Sequence, residues 1–238
     1  MKFFLFLFGV SIGSFINLSS VRLVRNESII YPPSHCDSCN SRLKIIDLIP
    51  IISFLILKGR CRYCNCKIPV ASLFTELTTG IITIIAFEKN NDIFSLILIL
   101  TFLYLFIIIS LIDLYQQEIY MSLVWICFII GFIYRLYSDF YIFEFIKVSI
   151  VFTIIYILIY FISKKSIGDG DIYLYLMSFL FLENKDILTF VFISVWLAAI
   201  VGIIIGIKNK NFKTYMPFAI YILLAFVSVK LDILIWRI

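Results

Sequence analysis

The chain has 238 residues, of which 63% are apolar and only 15% charged, and its mean hydropathy is +1.08. A soluble domain is nearer half apolar and a quarter charged, so the composition excludes a water-soluble globular protein and predicts an all-α polytopic membrane protein. The formal net charge of +5 comes from short basic clusters without a sustained basic face, which argues against a nucleic-acid partner and leaves the lipid bilayer as the surface these charges meet.

About eight apolar runs have the length of a membrane span: near 3–21, 70–87, 93–112, 120–137, 141–162, 172–183, 187–207 and 215–236, the sixth being the shortest. The runs do not alternate, so helices are expected and not the strands of a barrel. Placing the N-terminus outside puts 13 of the 20 Lys and Arg on the inner side, among them Arg22, Arg25, Lys164, Lys165 and Lys213, against 7 outside, among them Lys2 and Arg237. That bias is the positive-inside pattern. The expected organisation is a first span over residues 1–23, a cytoplasmic loop over 24–69 and a helical membrane core over 70–238.

Only Lys2 precedes the first apolar run, while Arg22 and Arg25 follow it, so a retained helix is expected in place of a cleaved secretory signal. Within that helix, Gly13-Ser14-Phe15-Ile16-Asn17 carries small and polar residues that let helices approach closely, with substrate contact as a second reading.

Residues 24–69 hold four of the five prolines, five of the six cysteines and the single histidine. Cys36-Asp37-Ser38-Cys39 and Cys61-Arg62-Tyr63-Cys64 are paired C-x-x-C units with 21 residues between the inner cysteines. Two such turns each supply two sulfurs to one tetrahedral ion, predicting a small zinc-ribbon-like loop with structural zinc on Cys36, Cys39, Cys61 and Cys64. Disulfides are the other reading, set against by a loop on the reducing side. Cys66 either replaces a ligand or is spare, His35 reads as a plain loop residue, and Cys127 as a small apolar one.

Glu76 follows about two turns into the second span, where it either pairs with a basic loop residue or lines an active cavity. The third span ends at Asp113. The fifth ends just before Gly168-Asp169-Gly170-Asp171, which the helix count places on the same face of the membrane. Carboxylates beside hydrocarbon are costly, so Asp113, Asp169 and Asp171 call for an explanation. Asp171 is well placed to cap the sixth helix and Asp113 to be a solvated helix exit. The two glycines favour a site instead, because they admit unusual backbone geometry and leave room for another chain. Two carboxylates held together share a proton, so one activates water while the other hydrogen-bonds a peptide carbonyl. An ion- or proton-coupled transporter is the competing class, but no internal repeat is present and the acids lie at one face. A zinc-dependent scaffold with capping aspartates is a third.

The chain resembles the bacterial type IV prepilin peptidases, intramembrane aspartyl proteases with a glycine-x-glycine-aspartate motif. The resemblance rests on Gly13-Ser14-Phe15-Ile16-Asn17, the two cysteine blocks, Ile49-Pro50-Ile51-Ile52-Ser53, Phe74-Thr75-Glu76-Leu77, Leu111-Ile112-Asp113, Gly168-Asp169-Gly170-Asp171 and Met216-Pro217-Phe218. It implies Asp113 and Asp171 as catalytic, Gly168, Gly170 and Glu76 as supporting residues, and Asp169 as the variable position. It further implies leader cleavage of prepilin or pseudopilin precursors at the cytoplasmic face of a bacterial inner membrane. For many members it implies N-methylation of the new terminus with S-adenosylmethionine, although no glycine-rich nucleotide loop is present. Tyr120, Tyr173 and Asp37 stand where the family usually has proline, lysine and proline.

Overall fold

The computed structural model describes residues 1–138, 142–163, 168–210 and 216–233. Lys164, Lys165, Lys213 and Arg237, which entered the charge bias above, lie outside the described residues. The chain forms two compact units, Met1–Asn91 and Asp92–Ile238.

In the first unit, α1 (Lys2–Val24) and α3 (Val70–Lys89) run antiparallel, with Lys2 paired to Glu88 at one end. Gly9 and Gly13, one turn apart on α1, explain the close approach. A Cβ on Gly9 would stand 2.9 Å from the Gly80 Cα, and one on Gly13 would stand 2.9 Å from the Glu76 Cα. Gly13 therefore serves packing, with small residues bringing two backbones into contact. Between these helices lie a 3₁₀ turn (Ile45–Leu48), the short α2 (Ile52–Ile56) and the cysteine segment. The chain leaving α1 is gathered by buried Arg22, which donates to the carbonyls of Ser28, Ile29 and Pro32.

The second unit contains α4 (Ile93–Gln116), α5 (Met121–Tyr137), α6 (Ile142–Ile162), α7 (Asp171–Phe179), α8 (Ile187–Asn209) and α9 (Ala219–Lys230). Helix α4 packs against α5 and α9, α8 against α9, and α7 against α5, α6 and α9. Phe102, Phe181 and Phe226 meet at the centre, with ring centroids 4.1 Å apart for Phe102 and Phe181 and 5.0 Å for Phe102 and Phe226.

A helix coincides with each expected span. α1, α3, α4, α6 and α8 are long and apolar enough to cross a membrane, whereas α5 and α9 have 17 and 12 residues. The expected sixth span is the nine-residue α7. Nine residues rise about 14 Å, less than half of a ~30 Å hydrocarbon core.

The last carbonyls of this short helix are taken up along the chain, Ser178 O by Phe181 N and Phe179 O by Leu182 N. The carbonyls of the turn that follows are bonded by two cations from other helices. Arg135 of α5 donates to Leu182 O at 2.7 Å and to Asn184 Oδ1 at 2.8 Å, and Lys230 of α9 donates to Phe181 O at 2.7 Å. Both charges interrupt otherwise apolar runs, and both hold the turn that follows α7.

Candidate active site and metal centre

Asp113 lies in the last turn of α4 and Asp171 is the first residue of α7; their exposures are 6% and 7%. Asp113 is close enough for its charge to be felt at Asp171, and so is Asp169, which is exposed. The structure thus brings together the two aspartates singled out from the sequence and leaves the third at the surface.

Neither aspartate plays the bland role open to it. Gly170 occupies the N-cap position of α7 and no side chain makes a cap hydrogen bond there, so Asp171 is not the cap. Asp113 is not a solvated helix exit: it is 6% exposed and its Oδ2 accepts the Ala219 amide at 3.0 Å, with the Phe218 amide nearby. These amides open α9, where N–H groups have no partner in their own helix and the helix dipole favours negative charge. The carboxylate at the end of α4 is therefore seated on the start of α9. The sequence signal for this seat was Pro217, a helix-start residue just before Phe218 and Ala219, although its partner, 106 positions away, was not legible.

Both glycines are packed too closely to carry a side chain without a shift. Gly170 has ordinary helical angles (φ −76, ψ −26). A Cβ on Gly168 would stand 2.8 Å from Asp171 Oδ2, and one on Gly170 would stand 2.7 Å from Ile119 Cδ1. The turn is also held by Tyr156 of α6, whose hydroxyl donates to Gly168 O at 2.7 Å. No sequence pattern marked Tyr156.

In the first unit, Glu76 (7% exposed) pairs with no basic residue among the described residues. Its Oε2 accepts the Ile51 amide at 2.7 Å, with the Ser14 side chain nearby. It ties the cysteine segment to α1 and α3.

The sulfurs of Cys36, Cys39, Cys61 and Cys64 all lie within 4.8 Å of one another, and all six cysteines are free thiols. A tetrahedral zinc with ~2.3 Å bonds sets its sulfurs about 3.8 Å apart, and Cys36 Sγ and Cys64 Sγ are 3.8 Å apart. Donor chemistry and spacing both fit such an ion.

The cluster is built from a repeated turn. Cys36 N donates to Ser41 O and Asn40 N to Cys36 O; likewise Cys61 N donates to Cys66 O and Asn65 N to Cys61 O. Asn40 and Asn65 sit at φ 53 and 58, a left-handed geometry that asparagine tolerates. Cys66 is thus the counterpart of Ser41, which explains a fifth thiol near the site, 3.4 Å from Cys36 Sγ. Ser41, with its Oγ 3.3 Å from Cys39 Sγ, brings the Cys39 thiol down to about 6, toward the thiolate that ligates metal. Asp37 accepts both Arg25 guanidinium nitrogens at 2.9 and 3.0 Å, which holds its carboxyl below the ordinary range and fastens the first turn to the end of α1. Asp47 does the same for the second turn through Arg62 and Tyr63.

A helical membrane protein with paired buried aspartates beside a glycine-rich turn and a four-thiolate cluster defines the class. Two family models match the chain: one described as "Bacterial Peptidase A24 N-terminal domain" over residues 7–89 and one described as "Type IV leader peptidase family" over residues 100–203. The chain belongs to the type IV leader peptidase (prepilin peptidase) family. It is similar to proteins named prepilin leader peptidase/N-methyltransferase. That of Myxococcus xanthus is 33% identical over 47% of this chain and 33% of the relative, and that of Bacillus subtilis 34% identical over 47% and 45%. That of Pseudomonas putida is 22% identical over 82% and 70%. The matches span a third to a half of the first two relatives. No solved structure matches the chain. The transporter reading is not supported.

Proposed function

We propose that the protein is an intramembrane aspartyl endopeptidase that removes the leader from type IV prepilin-like precursors at the cytoplasmic face of a bacterial inner membrane, with its N-terminus outside. The observation that carries the reading is the pair of buried aspartates, Asp113 at the start of α9 and Asp171 at the glycine turn. Two carboxylates that feel each other's charge in a buried site are able to retain one proton between them and titrate as a pair. Asp113, holding the Ala219 amide at the start of α9, is the partner suited to the ionised form and takes a proton from the attacking water. Asp171, whose helix offers it no cap bond, donates to the peptide carbonyl as negative charge builds there. Zinc on the four thiolates is structural, shaping a loop too small for an apolar core. Methyl transfer from S-adenosylmethionine rests on the relatives' name, and no residue is assigned to it.

Co-expression with a pilin-like precursor tests the reading. The expected result is a product shortened by its leader, read by mass spectrometry. A precursor left intact by well-expressed wild-type protein would overturn it.

The α9 seat makes a separate prediction. Incorporating lactic acid in place of Ala219 exchanges one N–H for an ester oxygen without changing shape, and at the first helical position the helix loses no hydrogen bond of its own. A bond to a charged group is worth roughly 1.5–3 kcal/mol, so kcat should fall about 10- to 100-fold with KM little changed. Alanine restored by the same route should recover the rate.

A further inference from the structure

Residues 45–57 run Ile-Ile-Asp-Leu-Ile-Pro-Ile-Ile-Ser-Phe-Leu-Ile-Leu, yet neither the 3₁₀ turn nor α2 contains a buried residue. Ile45 is 85% exposed, Leu55 62% and Ile56 68%. The one charged side chain in the stretch, Asp47, is turned to Arg62 and Tyr63. Lys44, Lys58 and Arg60 flank it and are exposed. An apolar patch of this kind, rimmed by basic residues, marks an interaction surface.

The tether described above sets its level. Ile51 donates its amide to Glu76, six residues into α3 and so about 9 Å along that helix from its first residue. The same carboxylate meets Ser14, ten residues before the end of α1, about 15 Å along that helix. The segment is therefore held against two apolar spans well below their loop-side ends. Ile51 has φ 62, a costly angle for a β-branched residue, and the Glu76 bond fixes the chain there.

We infer that residues 45–57 form an interfacial membrane wedge, lying at the boundary of headgroups and acyl chains of an anionic leaflet, with Lys44, Lys58 and Arg60 meeting lipid phosphates. Interfacial segments bury their apolar face roughly 5–10 Å below the headgroups, which suits the level of Ile51. Long basic side chains extend from such a position to the headgroups. The glutamate read from sequence as a site residue is then the peg that holds the wedge down.

The test uses full-length protein in phosphatidylcholine–phosphatidylglycerol vesicles, with photoreactive p-benzoylphenylalanine at Leu55 or Ile46, both exposed. Ile155 on α6 serves as the membrane control and Ser38 in the first cysteine turn as the solvent control. Lipid adducts at Leu55 and Ile46 should match those at Ile155 and exceed those at Ser38 about tenfold. Glu76→Ala should lower the Leu55 adducts several-fold and leave those at Ile155 unchanged. Adducts at Leu55 and Ile46 no more abundant than at Ser38, or formed with a second copy of the chain in place of lipid, would overturn the wedge. Adducts at Leu55 indifferent to Glu76 would overturn the tether. None of these readouts depends on peptidase activity.

Discussion

Asp113→Asn and Asp171→Asn are each expected to abolish leader cleavage, while Asp169→Asn keeps most of it. Asparagine preserves the size of the side chain and its capacity to accept a hydrogen bond, so in Asp113→Asn the side chain can still sit on the Ala219 amide. What it cannot do is carry a charge or exchange a proton, and removing a positioned acid or base costs about 10²–10⁴ in rate. If the two aspartates act as one unit, the double substitution should be little worse than either single one. Asp169 is exposed and touches the pair only through its charge, so its loss should change the rate about threefold or less. The measurement is precursor and product quantified at matched enzyme levels. Cleavage persisting in both the Asp113 and Asp171 variants would remove them from the chemistry.

The second large effect concerns the thiolate cluster. Purified protein should carry about one zinc per chain, and Cys36→Ser combined with Cys61→Ser should carry almost none and accumulate poorly. Together the two substitutions take one ligand from each turn, so no turn keeps a full pair. Structural zinc in isolated fingers is worth about 10–16 kcal/mol, more than the fold energy available to a loop without an apolar core. Cys66→Ser is the matched control: serine is what the first turn already has at that position, so zinc and protein level should both be retained. Metal content by mass spectrometry reads the result. Metal-free wild-type protein, or loss of zinc with Cys66→Ser, would refute the four-ligand assignment.

Much of this was legible in the sequence because it depends on local chemistry. Runs of Ile, Leu and Phe announce helices, C-x-x-C pairs announce thiolate turns, and aspartates beside hydrocarbon stand out by their cost. What was not legible depends on partners distant in the chain. The seat for Asp113 is made by backbone amides, which every residue but proline possesses, so no residue type reveals it. Gly168 and Gly170 were noticed, but conformational freedom was part of the reason given, and the structure adds the Asp171 and Ile119 side chains packed on them. Glu76 was noticed for its charge and then found to hold an amide of the loop. The likeness of the two cysteine turns was present in Cys36-x-x-Cys39-Asn40 and Cys61-x-x-Cys64-Asn65, and aligning them would have explained Cys66.

The cations at the far end of α7 have one more consequence. With Arg135 and Lys230 holding the carbonyls of Leu182 and Phe181, α7 is a strut pinned just past its tail, and Asp171 stands at its other tip. The height and compass bearing of that tip are then set by counting residues back from the pin. Removing a single residue from the strut would draw the tip about 1.5 Å toward the pin and swing it by about 100°. The length of α7 is thus a gauge for where Asp171 meets Asp113, and a chain can keep both aspartates yet lose their meeting through a change in count alone.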